Sequence, residues 1–170
     1  IQLIQRVQQR NYGFKFFCNI SPWTLQDTTF LEAFTNLLMS HREFASSLVF
    51  EFPQAAINEC RDPVLKYLNE LGDIGFTYSM DHVTSLKIDA ATLAARHVRF
   101  IKLGAEALAL AARNGAPVAL ADFQQQLNAS GITLIAEKIE SEDMLETLQS
   151  LGVKFAQGFL LGKPALSRAR

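Results

Sequence analysis

Two hydrophobic rhythms alternate along this chain. Short runs of apolar, β-branched and aromatic residues read as buried strands. They are FKFFCNI (14–20), SLVFEF (47–52), IGFTYSM (74–80), VRFIKL (98–103), TLIAEKI (133–139) and a last run over 154–159. Between them, apolar residues recur every three to four positions, the period of an amphipathic helix. Helices are predicted over 1–9, Thr28–Met39, 54–71, Ala90–Ala95, 117–130 and 142–151, with a helical turn over Ala105–Arg113. Gly72, Gly131 and Gly152 stand where helices stop, and Ser141 stands where one starts. Strands alternating with helices predict βαβ units and a parallel sheet, hence an α/β fold.

Composition narrows this reading only a little. The chain has 170 residues, 49% hydrophobic and 19% charged, which suits one folded domain rather than a disordered segment. A net charge of −1 offers no broad basic field, so a nucleic acid polymer is not expected as a partner. Cys18 and Cys60 fit neither a zinc spacing nor a disulfide framework and read as reduced cysteines. No apolar run reaches the roughly 18 residues of a membrane span; a cytoplasmic location is expected for this chain, with a membrane anchor in upstream sequence of the parent protein left open. The first nine residues begin in mid-pattern without a helix start signal, so the chain is expected to begin inside a larger protein.

The chemistry gathers at the strand ends. In order, the apolar runs close on Asn19, Glu51, Asp81, Lys102, Glu137 and Gln157. In a parallel sheet these C-terminal ends share one face, and in a β/α barrel they converge on its mouth. Burying several carboxylates together is costly unless cations offset them. Oxygen donors of this kind suit Mg²⁺, Mn²⁺ or Ca²⁺. The plain alternative is a set of solvated strand-end residues.

The phrases around these residues resemble those of EAL-domain cyclic di-GMP phosphodiesterases. CNISPWTL resembles that family's N-L-S segment, LVFEFPQ its E-[IL]-T-E strand, and YSMDHV stands where it carries D-D-F-G. FIKL resembles its K-I-D strand. AEKIESEDMLETLQSLGVKFAQGFLLGKP resembles A-E-G-V-E-T, a helix, and then Q-G-Y-x-x-x-x-P. The resemblance implies a modified TIM (β/α) barrel, incomplete here because the strand bearing the E-A-L signature and its glutamate ligand would precede Ile1. The whole chain, 1–170, then reads as one partial EAL domain. It further implies Asn19, Glu51 and Asp81 as metal ligands, and Lys102 and Glu137 as the groups that serve catalysis in active members. Gln157, Gly158 and Pro164 would contact the ligand. Two Mg²⁺ or Mn²⁺ ions activate water in that family, and cyclic di-GMP becomes pGpG.

Departures from the family pattern cluster. His82 replaces the second aspartate, a ligand of the second metal. VTSLKID (83–89) replaces a glycine-bearing loop, Pro53-Gln54 replaces Thr-Glu, and Lys138 replaces the glycine after Glu137. One metal site, for Mg²⁺ or Mn²⁺, is expected to survive and the second to be damaged. His82 reads either as a hydrogen-bonded histidine or as a nitrogen ligand; Asp89, His41 and His97 read as local structural residues. Three functions stay open: a non-hydrolytic receptor for cyclic di-GMP, a protein-interaction module, and a working phosphodiesterase. Expected partners are cyclic di-GMP, upstream domains of the same chain, and a second copy or another protein across an open sheet edge.

Overall fold

The computed structural model describes residues 14–113 and 117–165, so the predicted helix over 1–9 lies outside them. Six strands follow one another in chain order within the sheet: β1 (Phe16–Asn19), β2 (Leu48–Pro53), β3 (Thr77–Val83), β4 (Val98–Gly104), β5 (Thr133–Glu137) and β6 (Phe155–Ala156). The β1–β2, β2–β3 and β5–β6 pairs are parallel, as the alternating pattern predicts. The intervening helices are α1 (Pro22–Gln26), α2 (Thr28–Met39), α3 (Gln54–Glu59), α4 (Val64–Asp73), α5 (Ala90–Ala95), α6 (Ala105–Arg113), α7 (Pro117–Ala129) and α8 (Glu142–Ser150). Among the described residues no helix is long and apolar enough to cross a membrane. Two compact units divide the chain, one holding residues up to Asp81 together with 89–100, the other 82–88 and the chain from Ile101 onward.

In the first unit, the sheet sorts its side chains by period two. Phe50, Phe52 and Tyr78 take the helix-covered face. Phe50 meets Phe34 of α2 edge-on, with ring centroids 5.3 Å apart, and Phe52 packs on Tyr78 at 5.6 Å. Val49, Phe76 and Met80 are wholly buried, at about 1.5–3 kcal/mol of transfer free energy each. On the other face Phe17 meets Phe100 at 5.1 Å, although two strands separate β1 from β4 in the sheet order. The sheet of this unit therefore curls, with the Phe17 face inward.

Several element boundaries differ from the sequence expectation. The helix predicted over 54–71 is two helices, because Pro63 has no N–H to donate and its ring disfavours a helical residue before it; the Asp62–Pro63 bond is cis. Gly72 does not end α4. It lies inside the helix, where a Cβ would collide with the His97 ring, and Gly75 (φ 104°) turns the chain instead. The Gly75 N–H donates to the Gly72 carbonyl at 2.9 Å and Phe76 N–H to that of Leu71 at 3.1 Å. Strand β3 starts three residues later than its apolar run and continues through Asp81 and His82 to Val83. The last strand shortens to Phe155–Ala156. Helix α1 was not foreseen; Ser21 caps it, its hydroxyl accepting from Trp23 N–H.

In the second unit, α6 packs on α7 and α8. Ile101, Leu103, Leu108, Leu120, Leu127, Ile132, Ile139 and Leu148 are its largest deeply buried side chains. Ser141 caps α8 as its position predicts, accepting from Met144 N–H at 3.3 Å.

Candidate functional site

Register brings the first three site residues to one face. Asn19 pairs with Glu51, Glu51 with Ser79, and Pro53 with Asp81. With side chains alternating along each strand, Asn19, Glu51, Ser79 and Asp81 all join Phe17 on the inward face. Asn19 is exposed, whereas the Glu51 and Asp81 carboxylates are buried. Ser79 was not singled out from the sequence, because serine inside an apolar run carries no chemical signature. Its signal is positional: it lies two residues before Asp81 and opposite Glu51. Its Oγ is buried and has no hydrogen-bond partner among the described residues. A buried polar atom left so is costly. An amide oxygen, two carboxylates and an unsatisfied hydroxyl on one face form a donor set that fits a hard divalent cation.

The second unit carries a different chemistry. Glu137 ends β5 and is buried, and Lys102 of β4 is 4% exposed. An imidazole nitrogen of His82 and a carboxylate oxygen of Glu137 lie within 4.8 Å of each other. Lys138 Nζ stands 3.8 Å from Glu137 Oε1, its side chain 68% exposed against 11% for the glutamate. His82 (φ 53°) and Lys138 (φ 62°) both hold left-handed backbone, which is uncommon outside glycine, asparagine, aspartate and histidine. A cavity of about 420 Å³ opens here, lined among others by His82, Thr84, Glu106, Glu137, Lys138 and Glu140. Beside it, Glu137, Lys138, Glu140, Gln157, Gly158 and Pro164 line a smaller cavity of about 180 Å³. The structure thus brings Gln157, Gly158 and Pro164 to the same place as Glu137.

Gly158 has a steric reason to be there. A Cβ would collide with the backbone N, C and O of Ile139. That approach is fixed by Gln157 N–H donating to Ala136 O at 2.8 Å, Ile139 N–H to Gln157 O at 3.1 Å and Leu160 N–H to Ile139 O at 3.1 Å. The donors around Glu137 are mixed: His82 offers a ring nitrogen, and Glu106 and Glu140 line the same cavity. Imidazole is a weaker partner for Mg²⁺ than a carboxylate, and the ammonium already offers positive charge to Glu137.

The remaining titratable candidates are structural. Asp89 caps α5, accepting from the Thr92 hydroxyl at 2.6 Å and from Thr92 N–H at 3.0 Å, and these bonds, the hydroxyl's first, hold its carboxyl below the ordinary value of 3.8. His41 Nδ1 lies 3.2 Å from Glu43, and His97 Nε2 lies 3.4 Å from Asp73. Burial raises the Cys18 and Cys60 thiols above the ordinary value, away from nucleophilic reactivity.

Residues 1–164 match the family model of the EAL domain, and the chain belongs to that family. It is 26% identical over 118 residues to the cyclic di-GMP phosphodiesterase PdeB of Shewanella oneidensis, covering 68% of this chain and 14% of PdeB. The chain spans at most 22% of the curated relatives it matches. Among solved structures it resembles the PaMucR phosphodiesterase in complex with c-di-GMP, with a TM-score of 0.75 at 20% identity over 96% of this chain and 66% of that one. It also resembles the S helix-GGDEF-EAL portion of Vibrio cholerae LapD bound to c-di-GMP, with a TM-score of 0.74 at 18% identity over 94% of this chain and 39% of that one. These likenesses show the fold, an α/β architecture of the TIM-barrel-like EAL type.

Proposed function

We propose that this chain is the greater part of an EAL domain that binds cyclic di-GMP without hydrolysing it, acting as a receptor or regulatory module. One observation carries the reading. His82 and Lys138 stand on left-handed backbone beside Glu137, where two-metal hydrolysis asks for a second hard cation. Binding asks for less. One anionic dinucleotide can be oriented by a single cation and a few polar groups, whereas in-line attack needs two charges placed on either side of the reacting phosphate.

Asn19, Glu51 and Asp81 would hold one Mg²⁺ or Mn²⁺, with the Ser79 hydroxyl beside them. That ion would supply positive charge to a phosphate oxygen. In the second unit, buried Lys102 would offer a fixed cation, and Gln157, Gly158 and Pro164, which line one cavity with Glu137, would offer contacts to the ligand. A second reading, a working phosphodiesterase, is favoured by the burial of both Lys102 and Glu137. In that case water would add to one phosphorus, the P–O bond to the leaving 3′-oxygen would break, and the proton would pass to that oxygen, giving pGpG.

The test is calorimetric titration with cyclic di-GMP, in Mg²⁺ or Mn²⁺ and again in EDTA, on the protein that contains this chain. Each mixture is checked for pGpG. Binding without product supports the receptor, and steady product refutes it in favour of the enzyme. No binding in any condition leaves an interaction module.

A further inference from the structure

We propose that the Lys138 ammonium is the resident counter-charge of the cavity beside Glu137, and that it takes up a phosphate oxygen of the bound dinucleotide where a second divalent ion would otherwise serve. This rests on the dinucleotide-binding reading and adds to it the group that recognises the anion.

Three observations support it. First, charge balance: Glu106, Glu137 and Glu140 line the larger cavity, and Lys138 is the one lysine or arginine among its lining residues. The smaller cavity repeats this, with Glu137 and Glu140 against Lys138 alone. A phosphodiester entering either space would meet carboxylates and one cation, so that cation decides whether an anion is tolerated. Second, backbone: a lysine at φ 62° is strained where glycine or asparagine would be at ease. Strain of this kind gathers at functional sites. Two of the three left-handed non-glycine residues among those described, His82 and Lys138, line this cavity. Third, reach: at 3.8 Å from Glu137 Oε1 the ammonium is steered rather than locked by a short hydrogen bond, and its side chain is 68% exposed. It can turn from the carboxylate to a ligand oxygen while staying near both cavities.

The experiment measures Kd for cyclic di-GMP at two salt concentrations in a fixed, saturating concentration of Mg²⁺, using the protein containing this chain as wild type, Lys138→Asn and Lys138→Arg. Asparagine tolerates left-handed backbone, so the variant removes charge without adding strain, and a melting curve confirms that it folds. Wild type is expected to bind, Lys138→Asn to bind about tenfold or more weakly with a shallower salt dependence, and Lys138→Arg to recover most of the loss. The proposal is overturned if Lys138→Asn binds within about twofold of wild type, if its salt dependence is unchanged, or if arginine fails to rescue. Wild type that binds under no condition refutes the dinucleotide reading itself, and the proposal with it.

Discussion

Replacing Gly158 with alanine tests whether the close passage beside β6 is steric. The added Cβ would meet the backbone N, C and O of Ile139 rather than the end of a flexible side chain. Ile139 cannot swing away freely, because its N–H donates to Gln157 O and its carbonyl accepts from Leu160 N–H, both at 3.1 Å. Opening these two bonds costs about 1 kcal/mol each, and residual overpacking adds about 1–3 kcal/mol. Gly158→Ala should therefore destabilise by about 3–5 kcal/mol. For a domain of this size, each kcal/mol lowers the melting temperature by about 2–4 °C. Urea denaturation of wild type and variant gives the free energy. Hydrogen exchange at the Ile139 and Leu160 amides shows whether the damage is global or a local detachment of β6. A loss below about 1 kcal/mol with both amides still protected would refute the steric argument. It would leave ligand contact as the reason for a glycine at 158.

Other perturbations follow from the same geometry. At position 138 glycine should be more stable than alanine by about 1 kcal/mol, the reverse of their order in a helix, since only alanine strains at φ 62°; comparing the urea midpoints of Lys138→Gly and Lys138→Ala decides it. Mg²⁺ or Mn²⁺ at about 100 times its Kd should stabilise wild type by about 2.7 kcal/mol, and Glu51→Gln should lose most of that shift in a melting assay. Asp89→Ala should destabilise at neutral pH. Asp89 has a folded pKa below its unfolded one, so its stabilisation is present above the ordinary 3.8 and fades as pH falls through the lowered value. The stability gap between wild type and Asp89→Ala should therefore close in acid. Native Cys60 should react with iodoacetamide much more slowly at pH 8 than after unfolding, because burial raises its thiol pKa.

The alternation of strands and helices was legible because each rhythm spans several residues and buries a continuous face. Boundaries were less so. Pro63 outweighed the helical period around it, and Gly72 looked like a stop although a neighbouring ring, His97, is what requires it. The short last strand is another case: Ile135 and Ala136 pair with only Phe155 and Ala156, after which the chain turns past Ile139. No local hydrophobic pattern encodes a turn whose cause is a backbone passing nearby.

The site shows a similar division, and it bears on what its departures mean. Asn19, Glu51 and Asp81 could be found from sequence because each is a polar residue near the end of an apolar run. Ser79 could not, since its relevance comes from standing opposite Glu51 in register. His82 and Lys138 were visible as departures, but their backbone conformation was not. Position 138 stands where the family pattern carries glycine, so the fold asks for left-handed backbone there and a lysine bears the strain. His82 and Lys138 both hold that backbone, and both line the cavity that contains Glu137. Their nitrogens stand beside the Glu137 carboxylate, so this end of the site departs from the family pattern in charge as well as in backbone strain.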